Sequence, residues 1–287
     1  MNHKIINNIQ IGLFELTKKK YSKKYIKQYI QPIIEYILSS NKKKFLISGS
    51  QGIGKSTLVK ILKINIEKFY KKKVLTMNID DYYLKKKERI KLSKIKHPLL
   101  RTRGVPGTHD LKKLNNNIND FEKENYPIYI PIFDKLIDDR SKKFRKEKNK
   151  KDILILEGWC CGCPPLQKKY LNNNINRLER EEDKNKIWRK YFNENLSKNY
   201  RKVFNRFDKI IFLKAISFDF VMNWRLKQEK MNTSKHKNKI KMDKKEILYF
   251  ILHYEKITKW MLMKLPHIAN MVVKINKKQE IFKIKIN

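Results

Sequence analysis

Glycine, proline and cysteine are scarce in this chain of 287 residues, with 8, 8 and 3 copies respectively. The cysteines, Cys160, Cys161 and Cys163, are crowded together without distant partners, which excludes a disulfide framework and predicts reduced thiols. The second Cys or His pair of a usual zinc site is also missing. No apolar run approaches the roughly 20 residues of a membrane-spanning helix, and no secretory leader is recognisable. We therefore expect a cytoplasmic protein without a membrane partner.

Acidic residues are also few, because 28 Asp and Glu face 69 Lys and Arg and give a formal charge of +41. Such an excess would ordinarily indicate a nucleic acid or an anionic surface as partner. Here the basic residues are spread along the whole chain in small clusters, and Lys greatly outnumbers Arg. We interpret the charge as a solvated surface and expect no nucleic-acid partner.

The few glycines are concentrated in three segments, GSQGIGKST, RGVPG and EGWCCG, which are candidate functional loops because glycine permits positive φ and close backbone approach. The first matches G-x-x-x-x-G-K-[ST] between a predicted strand at Phe45–Ile47 and a predicted helix at Lys55–Tyr70. In such a loop backbone N–H groups bind phosphate, the lysine reaches the β and γ phosphates, and Ser56 is available to Mg²⁺. The predicted nucleotide-binding residues are Gly49, Ser50, Gln51, Gly52, Ile53, Gly54, Lys55, Ser56 and Thr57.

Further apolar segments predict strands at Val74–Ile79, Ile153–Leu156, Ile210–Leu213 and Met271–Ile275, separated by helical stretches. This alternation indicates an α/β P-loop fold with a doubly wound, mostly parallel sheet and helices on both faces. We expect one domain over residues 1–287, with N-terminal helices in 1–43 and a substrate-binding insertion at 82–150. The basic stretch Ser141–Lys151 lacks apolar periodicity and is predicted to be an exposed loop.

Carboxylates follow two of the predicted strands, at the sheet edge where ligands bind. Asp80 is suited to deprotonate a substrate hydroxyl or hold a metal ion, and Asp81 is the other candidate for this role. Strand alternation would direct the two side chains to opposite sides, so we expect only one of them to face the phosphate. Capping of the following turn explains either aspartate equally well. Glu157 is a candidate Mg²⁺ ligand together with Ser56, although satisfaction by loop N–H groups is an equal interpretation.

The segment RGVPGTHD predicts a bent loop, because it combines two glycines with a proline. Within it Arg103, His109 and Asp110 offer donors and acceptors to an acidic or polyhydroxyl substrate. Asp110 or Thr108 is also expected to cap a helix that begins at Leu111.

In chain order, GSQGIGKST, NIDDYYL, HPLLRTRGVPGTHD, PIFDKLIDDR, LILEGWCCG and WRLKQE resemble the D-glycerate 3-kinase family. This family belongs to the P-loop kinase branch that also contains phosphoribulokinase, uridine kinase and bacterial pantothenate kinase. The resemblance extends from about Phe45 to Val273. The short PIFDKLIDDR form is similar to the bacterial predicted-kinase subgroup, since Leu136 stands where plant and fungal members typically have serine.

The resemblance implies an ATP- and Mg²⁺-dependent kinase that phosphorylates a hydroxyl of a small anionic metabolite, with D-glycerate giving 3-phosphoglycerate as the first candidate. A nucleoside or pantothenate kinase is the alternative, and a nucleic-acid-associated ATPase is a third hypothesis. The resemblance further implies that Asp80 is the catalytic base, that Lys55 and Arg225 stabilise the transferring phosphoryl group, and that residues 228–243 form a lid. The residues it assigns to the acceptor pocket are Tyr83, Arg103, His109, Asp134, Lys135 and Arg140.

Overall fold

The computed structural model describes residues 3–234 and 244–287, and its centre is a six-stranded sheet in the order β2-β5-β1-β6-β7-β8. The strands are β1 (Lys44–Gly49), β2 (Val74–Asn78), β3 (Ile128–Asp134), β4 (Asp139–Glu147), β5 (Ile153–Gly158), β6 (Lys209–Ala215), β7 (Met271–Ile275) and β8 (Ile281–Ile286). Strands β2, β5, β1, β6 and β7 are parallel, and β8 pairs antiparallel with β7. The predicted α/β P-loop fold with a mostly parallel sheet is therefore confirmed.

Helices cover both faces of this sheet. The α-helices of the described residues are α1 (His3–Thr17), α2 (Lys23–Tyr25), α3 (Gln31–Ser39), α4 (Lys55–Tyr70), α5 (Lys86–Ile95), α6 (Leu111–Glu122), α7 (Lys168–Asn172), α8 (Arg177–Glu181), α9 (Ile187–Asn195), α10 (Arg201–Phe204), α11 (Phe218–Ser234) and α12 (Lys244–Lys264). Strand alternation sends Phe45 and Ile47 of β1 into an apolar core with α1, α3 and α4, and Leu46 into a second core with α6 and α9. None of the described helices has the length and apolar character needed to cross a bilayer.

The insertion between β2 and β5 contains a hairpin of β3 and β4, paired from Ile128 opposite Glu147 to Asp134 opposite Asp139. The predicted loop at Ser141–Lys151 is therefore wrong, since most of it belongs to β4. The side chains of β4 are exposed or half-buried and many are lysines, so no apolar alternation marks the strand. Its pairing with β3, which buries Ile128 and Ile130, supplies the order instead.

The carboxyl ends of β2, β5 and β1 lie side by side, because β5 pairs in parallel with both of the others. This edge gathers the glycine-rich loop after β1, the turn after β2 and the end of β5. Of the lid predicted at 228–243, residues 228–234 continue α11, and residues 235–243 lie outside the described chain. The sheet thus places the predicted phosphate loop and both candidate carboxylates at one edge.

Candidate active site

The glycine-rich loop connects β1 directly to α4. Gly52 has φ +73° in this loop, and a Cβ there would lie 3.0 Å from Trp224 Cβ, so conformation and close packing both favour glycine. The Lys55 ammonium donates to the carbonyls of Gly49 and Ser50 at 2.8 and 2.9 Å. Two buried polar atoms of the loop, Ser50 Oγ and Gln51 Nε2, make no hydrogen bond within the described residues. Oriented donors at a helix N-terminus of this kind suit a bound phosphate group.

Lys55 and the nearby carboxylates form the charged centre of the site. Burial lowers the pKa of Lys55, and the negative charges of Glu157 and Asp80 oppose that shift. A lysine held between a phosphate loop and two carboxylates can contact the transferring phosphoryl group as an ammonium ion.

Asp80 faces this centre from a short 3-10 turn, Ile79–Tyr82, that follows β2. Its Oδ1 accepts a hydrogen bond from the Tyr83 hydroxyl at 2.8 Å, and its Oδ2 accepts one from Lys135 Nζ at 2.8 Å. Asp81 is directed elsewhere, where it accepts from the Phe133 backbone N–H at 3.2 Å. The 3-10 turn, rather than the predicted strand alternation, therefore separates the two aspartates and leaves Asp80 at the site.

The environment of Asp80 favours its ionised form. Burial alone would raise its pKa, but the charge of Lys135 and the hydrogen bonds from Lys135 and Tyr83 hold the pKa well below the ordinary value. Asp80 consequently remains an anion that can accept a hydrogen bond from a substrate hydroxyl throughout the physiological pH range.

Glu157 lies at the end of β5, where two side chains rather than loop N–H groups hold its carboxylate. Ser56 Oγ donates to Oε2 at 3.0 Å, and Asn78 Nδ2 donates to Oε1 at 3.3 Å. Burial raises the pKa of Glu157, while Lys55 and the Ser56 hydrogen bond lower it. The described residues contain no cluster of three or more His, Cys, Asp or Glu that could hold a metal ion. One hydroxyl and one carboxylate nevertheless fit Mg²⁺, which keeps several waters and completes its shell with substrate phosphates.

A cavity of about 110 Å³ lies between these groups. Its wall consists of Gln51, Gly52, Lys55, Ser56, Asn78, Asp80, Tyr83, Arg103, Lys135, Gly158, Trp159, Arg225, Phe250 and Tyr254. Tyr83, Arg103 and Lys135, predicted for the acceptor pocket, are in this wall, and so is Arg225. Four cationic side chains thus face the single carboxylate of Asp80 in the wall, which favours an anionic ligand.

Phe250 and Tyr254 of α12 were not predicted for the site. Tyr254 belongs to an apolar core as well as to the cavity wall. The Tyr254 hydroxyl donates to the Arg103 carbonyl at 2.7 Å, and Gly104, at φ +129°, leaves the room that the tyrosine ring occupies. In the sequence, Gly104 was the signal that another part of the chain packs closely against this loop.

Three residues predicted for the acceptor pocket lie outside the cavity wall. His109 is buried behind Tyr83, with ring centroids 4.5 Å apart, and burial lowers its pKa to about 3. Asp134 accepts from the Leu136 N–H at 2.8 Å in the turn of the β3–β4 hairpin. Arg140 donates to the Tyr83 carbonyl at 2.8 Å and to Asp110 at 2.9 Å. These side chains support the loops that carry the wall residues.

Two contacts around the loop RGVPGTHD complete the site. Asp110 caps α6 as predicted, since its Oδ1 accepts from the Lys113 N–H at 2.9 Å. Asp138 binds the guanidinium of Arg103 and, at 2.8 Å, that of the buried Arg89. Neither Arg89 nor Asp138 was predicted, because their partners are brought together only by the hairpin.

A second cavity, of about 430 Å³, lies on the other side of the phosphate loop. Both cavities contact Gly52, Lys55 and Ser56. The second cavity is also lined by Tyr21 and Tyr25, whose ring centroids are 5.0 Å apart. The phosphate loop therefore separates a small charged space from a larger space with aromatic walls.

Comparison with curated proteins identifies the family. The chain is 32% identical over 231 residues to the uncharacterized kinase mug58 of Schizosaccharomyces pombe, an alignment that covers 72% of this chain and 76% of mug58. The chain belongs to the kinase family of mug58. Identity to the probable ATP-dependent kinase TDA10 of Saccharomyces cerevisiae is 32% over 158 residues, which cover 50% of this kinase and 54% of TDA10. A scan against protein-family models found no match.

Solved structures support the fold of this kinase. The D-glycerate 3-kinase from Cryptococcus neoformans var. grubii has a TM-score of 0.73 and 24% identity, with 90% of this chain and 99% of that chain covered. The YGR205w protein has a TM-score of 0.67 and 24% identity, with 89% and 94% covered. The family resemblance noted in the sequence is confirmed, since identity to mug58 shows a kinase family and these structures show the same fold. The assignment of this chain to the bacterial subgroup stays a prediction.

Proposed function

We propose that this kinase transfers the γ-phosphoryl group of ATP, with Mg²⁺, to a hydroxyl of a small anionic metabolite, and that D-glycerate giving 3-phosphoglycerate is the first candidate reaction. The observation that carries the proposal is the position of Asp80. Its carboxylate shares one small cavity with Lys55 of the phosphate loop and with the cations Arg103 and Lys135. A base, a phosphate-binding lysine and charges for an anionic acceptor are thereby brought together.

In this reaction Asp80 orients the acceptor hydroxyl and accepts its proton as the bond to phosphorus forms. Tyr83 holds one oxygen of Asp80, and the other contacts Lys135, whose side chain is 52% exposed and can move to a bound ligand. Lys55 and Arg225 stabilise the negative charge on the transferring group. The guanidinium of Arg225 lies 5.5 Å from the centre of the Phe250 ring, at the same wall as Tyr254.

The acceptor anion is assigned to Arg103 and Lys135. Asp138 fixes the guanidinium of Arg103 from behind, and this guanidinium lies 5.4 Å from the centre of the Phe133 ring. A planar guanidinium held in this way suits a carboxylate, which it can bind through two parallel hydrogen bonds.

Mg²⁺ would be held by Ser56 and Glu157, with the remaining ligands supplied by water and by phosphate oxygens. When bound, the ion neutralises charge on the β and γ phosphates. The nucleoside half of ATP is assigned to the larger cavity, where the rings of Tyr21 and Tyr25 provide surfaces for stacking. In this arrangement the nucleotide extends across the phosphate loop from one cavity to the other.

We also assign the activity to the cytoplasm, consistent with three cysteines that form no disulfide. We propose a small molecule, and no nucleic acid, as partner, because four cations of the site line one small cavity. Stimulation of ATP hydrolysis by DNA or RNA, with steep salt dependence, would contradict this part of the proposal.

A panel of acceptors tests the function most broadly. The protein is incubated with ATP and Mg²⁺ and with D-glycerate, related hydroxy acids, pantothenate or nucleosides, and ADP release is recorded. We expect release that depends on D-glycerate or another small hydroxy acid, and its loss when EDTA removes Mg²⁺. Release with a nucleoside or with pantothenate but with no hydroxy acid would overturn the assignment of the acceptor.

A further inference from the structure

Gln279 lies far along the chain from the phosphate loop, in the turn between β7 and β8, and yet contacts that loop. Its side-chain Nε2 donates to the carbonyl of Gly52 at 2.5 Å. The turn is organised by Asn276, whose Oδ1 accepts from the backbone N–H groups of Lys278 and Glu280 at 2.9 and 3.0 Å. Gln279 has a positive φ of +62° in this turn. The backbone that carries the Gln279 side chain is therefore fixed by its own turn.

The same turn reaches Gly52 by a second path, through Trp224. The indole Nε1 donates to the Lys277 carbonyl at 3.1 Å, and the Trp224 side chain is buried. Gly52 packs directly against Trp224, since a Cβ on Gly52 would be 3.0 Å from the Trp224 Cβ. The tip of the phosphate loop is thus enclosed between Trp224 and the amide of Gln279.

The orientation of the Gly52 carbonyl determines the direction of the next N–H group, which is a possible donor to phosphate. A peptide group is planar, so its C=O and the N–H of the following residue point in opposite directions. A carbonyl held toward Gln279 therefore turns the Ile53 N–H to the opposite side. That N–H makes a long hydrogen bond of 3.4 Å with the Ser50 carbonyl, within the loop itself. Phosphate loops bind through such oriented N–H groups.

We propose that Gln279 is a positioning residue that holds the Gly52–Ile53 peptide in its phosphate-binding orientation. This inference rests on the proposed function, since it takes this loop to bind the phosphates of ATP. It assigns the β7–β8 turn, which carries no recognised motif, to the nucleotide site. Gln279 acts through the loop and does not contact the reacting atoms.

The test compares wild type with Gln279→Met, which keeps the length of the side chain and removes the donor. The affinity for inorganic tripolyphosphate and for ADP is measured by calorimetry, and KM and kcat by ADP release. We expect about fivefold weaker binding of tripolyphosphate and a fivefold higher KM for ATP, the effect of one net hydrogen bond. The kcat and the KM of the acceptor should stay within about twofold, because the acceptor cavity is unchanged.

Lys278→Met is the matched control, because it changes an exposed side chain of the same turn and leaves the backbone carbonyl and N–H in place. Its tripolyphosphate affinity should match wild type. Trp224→Phe removes the indole donor but keeps a ring against Gly52, and it should weaken tripolyphosphate binding in the same direction as Gln279→Met.

Thermal unfolding of each variant distinguishes positioning from a merely structural role. A Gln279→Met protein that melts earlier but binds tripolyphosphate as wild type does would overturn the proposal, and so would an equal loss of affinity in Lys278→Met. If wild type phosphorylates no hydroxy acid, the proposed acceptor fails. The tripolyphosphate measurement still decides the role of Gln279 in that case.

Discussion

The hydrogen bond from Tyr83 to Asp80 makes a specific prediction about pH. Tyr83→Phe removes a donor 2.8 Å from Oδ1 and keeps the ring that packs against His109 and Phe133. A hydrogen bond to a charged group contributes about 1.5–3 kcal/mol. Because the Asp80 side chain is 24% exposed, water can replace the lost donor, and we expect the low end, about 1.5 kcal/mol. The pKa of Asp80 then rises by about one unit.

The sign of the effect follows from the direction of the shift. Tyr83 lowers the pKa of Asp80 in wild type, so its removal raises that pKa, but a rise of about one unit from well below the ordinary value leaves Asp80 ionised above pH 4.5. At pH 7 Asp80 stays ionised, and the loss there, about tenfold in kcat, reflects the freed carboxylate rather than its protonation. Steady-state ADP release from pH 4.5 to 9 should therefore show the same fold loss at every pH, with no displaced acid limb.

Tyr82→Phe is the matched control. It makes the same chemical change at the neighbouring residue, whose hydroxyl donates to Met77 Sδ at 3.3 Å, away from the cavity. We expect wild-type kinetics from this variant. A Tyr83→Phe enzyme with the kcat and kcat/KM of wild type at pH 7 would refute the role of Tyr83 in holding Asp80.

Three other variants test the remaining parts of the site. Glu157→Gln weakens the assigned metal ligand, so the Mg²⁺ concentration for half-maximal rate should rise about tenfold, whereas an unchanged Mg²⁺ titration would exclude Glu157 as ligand. Asp138→Asn releases Arg103 and should raise the KM of the acceptor about tenfold at constant KM for ATP, and equal changes in both would point to general disruption. Burial lowers the pKa of His109 to about 3. Between about pH 3 and 6.5 this histidine therefore binds a proton in the unfolded state but not in the folded state, so the free energy of unfolding decreases as the pH is lowered through that window. Wild type should therefore lose about 2 kcal/mol more than His109→Gln between pH 7 and 5 in urea unfolding, and parallel curves would disprove the buried neutral histidine.

The sequence predicted those helices and strands whose buried face is marked by a continuous pattern of apolar residues. Helix α4 and strand β7 have the bounds that were expected, because the apolar face of the helix and the apolar run of the strand are continuous. Strands β3, β4 and β8 were missed. Strand β4 is exposed or half-buried and takes its order from pairing with β3. Strand β8 does alternate apolar residues with lysines, a strand pattern that was overlooked.

The acceptor pocket shows the same limit at the level of single residues. Tyr83 and His109 come from two segments that were both assigned to the pocket, but only Tyr83 reaches the cavity while His109 packs behind it. In irregular loops the direction of a side chain depends on distant partners rather than on spacing. Tyr254, contributed by a helix far along the chain, could be located only once that helix was placed against Gly104.

The central claim is that Asp80 is the base of a phosphoryl transfer to a small acceptor. Asp80→Asn keeps the size of the side chain and its contact with the Tyr83 hydroxyl, while it removes the negative charge. The most direct measurement is acceptor-dependent ADP release by this variant, together with its affinity for ADP. If Asp80 is the base, kcat should fall by about a hundredfold or more while ADP binds as tightly as to wild type. Undiminished turnover with intact ADP binding would contradict this role.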